Sequence, residues 1–127
     1  MEKPHKNLEA WKQSIDLVVE IYRTTQHFPG QETYGLSNQI RRAAVSIPSN
    51  IAEGAARQTK KEFTNFLHIA QASLSELDTQ VELASRLGYL SNKSLSDLDQ
   101  TMERIDKMIT GLIRHLNRAI RSQGRAV

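Results

Sequence analysis

The sequence predicts an all-α protein, an antiparallel up-down-up-down four-helix bundle whose second helix is kinked at Pro48. Three observations carry that expectation. Apolar residues recur at three- and four-residue steps in four separate segments, so each segment has one greasy face. The breaks between segments hold proline, glycine and serine, which end or cap helices. No run alternates β-branched with polar residues, and no Asn-Gly or Asp-Gly pair marks a hairpin. Short connections make neighbouring helices antiparallel, and four amphipathic helices of about 20 to 30 residues close most simply as a bundle. The 127 residues form one domain, 1–127, with a core over about 7–121 and short termini.

The first segment runs from about Leu8 to Phe28, with Asn7 as the expected N-cap and Leu8, Trp11, Ile15, Val18 and Tyr22 as its stripe. Pro29-Gly30 stops it. The second runs from Glu32 or Leu36 to Arg57, with Leu36, Ile40, Ala43, Ile47 and Ile51 facing inward. Pro48 removes a donor and its ring crowds the Ala44 carbonyl, which predicts a kink; Ser46 or Ser49 is placed to satisfy a freed carbonyl.

The third segment opens on Thr59-Lys60-Lys61-Glu62, a capping box. Phe63, Leu67, Ala70, Leu74, Leu77, Val81 and Ala84 make its seam, and Gly88 suits a left-handed helix stop. The fourth starts at Ser91 or Ser94. Leu98, Met102, Ile105, Ile109, Leu112, Leu116 and Ile120 are its buried face, and Ser122-Gln123-Gly124 is expected to fray.

Composition excludes several function classes. There is no cysteine, hence no disulfide, thiolate metal site or cysteine nucleophile. No apolar run is long enough for a transmembrane helix, and the polar start Met1-Glu2-Lys3-Pro4-His5-Lys6 leads into no signal core. A cytoplasmic location without a membrane partner is the expectation. Of the four histidines, His27, His68 and His115 fall in helical segments. None has a Glu, Asp or second His three or four residues away, so the Glu-x-x-His pattern of metal-binding bundles is missing there. His5 precedes the first segment. No nucleophile motif, phosphate-cradling glycine loop or zinc pattern occurs. We therefore expect no catalytic residue, no metal and no cofactor.

Two polar constellations remain. Arg42, Ser46, Asn50 and Glu53 align along the second helix, as a hydrogen-bonded seam against a neighbouring helix or another subunit. Arg104, Lys107, Arg114, Arg118, Arg121 and Arg125 fall within about a 100° arc of the fourth helix, opposite its apolar face. The net charge is only +3, but it is unevenly spread: the first 90 residues balance 10 basic against 10 acidic side chains, and no acid follows Asp106. Such a flank suits a phosphate backbone, through charge and forked hydrogen bonds. The other readings are a solvated outer face and a dock for an acidic protein surface. With no aromatic residue interleaved, contact would be backbone-directed rather than by base stacking. Val19, Tyr22, Phe66 and Ile69 lie off the main seams, more apolar surface than one bundle needs, which predicts self-association.

The block Gln39-Ile40-Arg41-Arg42-Ala43-Ala44-Val45-Ser46-Ile47-Pro48-Ser49-Asn50-Ile51-Ala52-Glu53-Gly54 closely resembles the signature of the four-helix-bundle family named for the intervening sequences of 23S ribosomal RNA genes. The opening Asn7-Leu8-Glu9-Ala10-Trp11-Lys12 is similar to that family's start, and Ala72-Ser73-Leu74-Ser75-Glu76-Leu77 and Leu87-Gly88-Tyr89-Leu90 to its later landmarks. Ala72 stands where the family often has glycine. The resemblance spans about Asn7 to Ile120. It implies a homopentameric ring of bundles without known catalytic activity. It also implies kinship with accessory proteins of diversity-generating retroelements, basic pentamers that associate with nucleic acid and a reverse transcriptase. The expected function is thus a non-catalytic oligomeric scaffold that binds RNA or DNA. The alternative is an interaction module that docks a reverse transcriptase or ribosomal component without touching nucleic acid.

Overall fold

A computed structural model describes residues 3–125, without the side chain of Arg125. Among the described residues there are four α-helices: α1 Glu9–Thr25, α2 Leu36–Ala55, α3 Lys60–Arg86 and α4 Asn92–Arg125. Among the described residues there is no strand. Short 3-10 turns at Pro4–Asn7 and Gly30–Glu32 precede α1 and α2.

The helix ends follow from local chemistry. Thr59 caps α3: its hydroxyl oxygen accepts the Glu62 N–H at 3.1 Å and its O–H reaches the Glu62 carboxylate at 2.9 Å. Gly88 takes φ +83°, and beside it the Tyr89 N–H closes on the Ala84 carbonyl at 2.9 Å and the Gly88 N–H on Ser85 at 3.0 Å. That pair of bonds is a Schellman stop, which a residue with a Cβ enters only under strain. Ser91, not Ser94, caps α4, accepting the Ser94 N–H at 3.1 Å. The expected cap at Asn7 is replaced: Asn7 lies inside the 3-10 turn that Pro4 opens, and α1 starts after an extended Leu8 with no side-chain cap. Nor does α4 end near Ile120; it continues through Ser122, Gln123 and Gly124 to Arg125.

α2 runs without a break through Pro48. The Ser49 hydroxyl donates to the Val45 carbonyl at 2.8 Å and the Asn50 amide to the Ser46 carbonyl at 2.8 Å, so side chains supplement the backbone ladder around the proline.

Contacts between α2 and α3 run in opposite order. Ser46 of α2 meets Ser73 of α3, whereas Gly54, further along α2, lies against Phe63 and Phe66, earlier on α3. Arg41 of α2 donates to Thr25 near the end of α1. Gln71 of α3 donates to Asp106 and Thr110 of α4. α2 thus packs on α1 and α3, and α4 closes against α3 and α1. The core holds most of the expected α2, α3 and α4 stripes: Ile40, Ile47, Ile51, Leu67, Leu77, Val81, Leu98, Ile105 and Ile109 are essentially sealed from solvent, while Phe63 and Leu112 pack half-buried against it and Ile120 is half-buried outside it. Each such side chain contributes about 1.5–3 kcal/mol of transfer free energy.

α1 differs from expectation. Its sealed face is Ala10, Ser14, Leu17, Ile21 and Thr25. Trp11 and Val18 are half-buried, while Ile15 and Tyr22 stand 37% and 42% exposed. Ser14 and Thr25 enter the core because their hydroxyls donate to the Trp11 and Ile21 carbonyls one turn back, both at 2.8 Å. A hydroxyl satisfied by its own helix is far less costly to bury.

Candidate nucleic-acid interface

The predicted basic stripe divides into two parts. Arg104 lies beside a hollow between α1 and α4 that Asp16, Glu20 and Asp97 also line, so its surroundings are mixed in sign. Lys107 is held by Glu103, one turn back, at 3.3 Å. Beyond Asp106 the helix changes character. Arg114, Arg118 and Arg121 are exposed, and among the described residues no carboxylate comes within the 4.0 Å of an ion pair. The Arg125 side chain lies outside the described residues. The last three turns of α4 thus carry arginines without an ion pair; Arg104 also makes none among the described residues but lies among acidic side chains, and Lys107 is paired.

That flank stays presented because its opposite side is anchored. Ile109, Ile113 and Leu116 are buried, with Leu112 packed against the core. Ile113 was absent from the expected stripe, although it sits one turn after Ile109 on the same face. Counting back along α3 from Gln71 and forward along α4 from Thr110, the first turn of α3 comes level with Arg118 and Arg121. It adds the exposed Lys60 and Lys61 to the same end of the bundle.

The α2 seam is partly joined. The Asn50 amide donates to the Ser46 hydroxyl at 3.0 Å, and that hydroxyl pairs with Ser73 of α3 at 2.8 Å, so Ser46 and Asn50 tie α2 to α3. Glu53 turns to Arg57 instead, 2.8 Å away just past the end of α2. Arg42 is exposed and shares a hollow of about 460 Å³ with Tyr22, Asn38, Arg41, Val45 and Ser46. Its neighbour Arg41, which the sequence did not single out, stacks its guanidinium 4.7 Å over Tyr22 while its Nε donates to Thr25 at 2.8 Å. An aromatic on α1 and an arginine on α2 at one level was the missed signal.

On the far side, Asp78 and Glu82 of α3 and Asp99, Glu103 and Asp106 of α4 line an acidic groove of about 540 Å³. Partial burial, then the charges of Asp78 and Glu82, raise the Asp99 carboxyl above its ordinary pKa. The bundle is thus polarised, with acids along the α3–α4 groove and uncompensated cations at the end of α4. Among the described residues no group of three His, Asp or Glu side chains is placed to hold a metal ion, and no helix is long and apolar enough to cross a membrane.

Comparison with known proteins follows the same outline. No curated protein matches the chain. A solved structure from Bacteroides thetaiotaomicron, a protein of unknown function from the S23 ribosomal protein family, superposes with a TM-score of 0.76 at 25% identity, covering 83% of this chain and 95% of that one. The family model described as 23S rRNA-intervening sequence protein matches residues 6–111, which takes in all of α1, α2 and α3. The chain belongs to the 23S rRNA-intervening sequence protein family.

Proposed function

We propose that this protein is a non-catalytic, self-associating bundle, a homopentamer by family resemblance, that holds nucleic acid by its phosphate backbone along the end of α4. The observation that carries the reading is the row Arg114, Arg118 and Arg121, exposed and without a carboxylate partner among the described residues. Arginines three and four residues apart on one helical face span about 10 Å, enough to meet successive phosphates of one strand. A planar guanidinium matches phosphate geometry bidentately. These residues follow residue 111, where the family match ends, so the reading rests on this chain's own flank. Self-association finds support in exposed apolar side chains: Ile15, Tyr22 and Val45 around the α1–α2 groove, Val19 on α1, Ile69 and Leu83 on α3 and Leu87 just past its end.

The test is fluorescence anisotropy of a labelled RNA duplex and a labelled single strand at low salt. The wild type is compared with a variant carrying Arg114→Glu, Arg118→Glu and Arg121→Glu. The wild type should bind both probes with little sequence preference, and the variant should lose binding while keeping its helical circular dichroism. No binding by the wild type at low salt, or unchanged binding by the variant, overturns the proposal. Pull-down of a protein partner that survives nuclease treatment and charge reversal would favour the interaction-module alternative.

A further inference from the structure

The two exposed apolar faces differ in shape. The α1–α2 face is concave: Trp11, Ile15, Val18, Val45 and Pro48 are among the residues around an apolar hollow of about 270 Å³. Beside it lies the hollow flanked by Arg41 and Arg42. The α3 face carries side chains that stand out: Ile69 is 48% exposed, and the exposed Glu76 follows two turns later. Glu76 makes no ion pair among the described residues, and neither does Arg42.

The spacings correspond. The two hollows are centred about six residues apart along α2, roughly 9 Å, and Ile69 and Glu76 are seven apart along α3, about 10.5 Å. Their levels correspond as well. Taking the Ser46–Ser73 contact as the shared level, Ile69 stands beside the α2 turn at the apolar hollow, and Glu76 beside the turn that bears Arg42.

From this geometry we infer that the concave α1–α2 face of one copy receives the α3 face of the next, with Ile69 in the apolar hollow and Glu76 against Arg41 and Arg42. This rests on the self-association proposed above and names the surfaces that make it. The contact is head-to-tail, since the two faces are different surfaces of one chain. Knob and hollow stand at one level on the bundle, so the pairing needs no offset along the helices. Apolar insertion gives the affinity, and the Glu76–arginine pair fixes the register.

The experiment uses two full-length variants altered at exposed positions, Ile69→Asp for the knob and Val45→Asp for the hollow, followed by analytical ultracentrifugation. Each variant alone should be a folded monomer, with self-association weakened about 30-fold or more, as for loss of an interface hot spot. Mixed, they should form a 1:1 dimer and nothing larger, since one intact knob meets one intact hollow and the other two sites are dead. Glu76→Arg should weaken assembly and Arg42→Glu, combined with it, should restore it. A wild type that is monomeric at micromolar concentration overturns the self-association itself. An oligomeric wild type whose single variants stay oligomeric, or whose mixture shows no dimer, keeps self-association but overturns these faces.

Discussion

Substituting alanine at two glycines should give opposite results, because they differ in what a new methyl group would meet. Gly54 lies close against α3: a Cβ there would stand 2.8 Å from the Phe66 Cβ, 2.9 Å from the Phe63 ring and 3.2 Å from the Phe63 carbonyl oxygen. The Phe66 Cβ and the carbonyl are fixed to the α3 backbone, so relief requires the helices to part. Overpacking of that kind costs about 1–3 kcal/mol. The better helix propensity of alanine offsets about 1 kcal/mol. Gly54→Ala is therefore expected to lose up to about 2 kcal/mol and to gain nothing. Gly111 sits on the exposed side of α4 with nothing within 4 Å of the added carbon. Gly111→Ala should gain about 0.5–1 kcal/mol from propensity alone. Urea unfolding followed at 222 nm, at one fixed protein concentration, measures both. For a chain of this size the Tm should move about 4 °C per kcal/mol, down for Gly54→Ala and up for Gly111→Ala. A Gly54→Ala protein as stabilised as Gly111→Ala would refute the close α2–α3 approach.

Two further outcomes are expected. Thr59→Ala removes the oxygen that accepts the Glu62 N–H and should cost about 0.5–2 kcal/mol in the same urea titration, with Thr59→Ser retaining most of the stability. Asp99→Asn should stabilise the protein at neutral pH: the folded-state carboxyl is raised, so its charged form is disfavoured by partial burial and by Asp78 and Glu82. For an acid shifted upward, stability is fully present below the unfolded pKa and falls as pH rises through the folded value. The gain from Asp99→Asn should therefore vanish in acid, below the ordinary carboxylate range. A gain unchanged from neutral pH to pH 3 would exclude the electrostatic cause.

The stripes of α2, α3 and α4 were legible because large aliphatic side chains at helical steps have no other favourable destination than the core. The α1 stripe was misread for a physical reason. Hydrophobicity ranks Ile15 and Tyr22 above Ser14 and Thr25, but the latter two bury at little cost once their hydroxyls bond their own helix. The apolar face that the spacing of α1 revealed was real; it borders the groove with α2. The basic flank was legible only as a pattern on one helix. That Asp16 and Glu20 of α1 stand beside Arg104 depends on packing between helices, which periodicity within one segment does not contain. The level correspondence of Ile69 and Glu76 with the α2 hollows needs the α2–α3 register and was out of reach of the sequence.

The most direct test of the arginine flank is the salt dependence of duplex RNA binding, compared between the wild type and Arg118→Ala. Three phosphates neutralised per protomer give a slope of log K against log salt of about −2.7 or steeper on a duplex, and removing one arginine should reduce it by about 0.9 for each protomer in contact. A flat salt dependence, or an Arg118→Ala slope equal to that of the wild type, would contradict phosphate recognition by the end of α4.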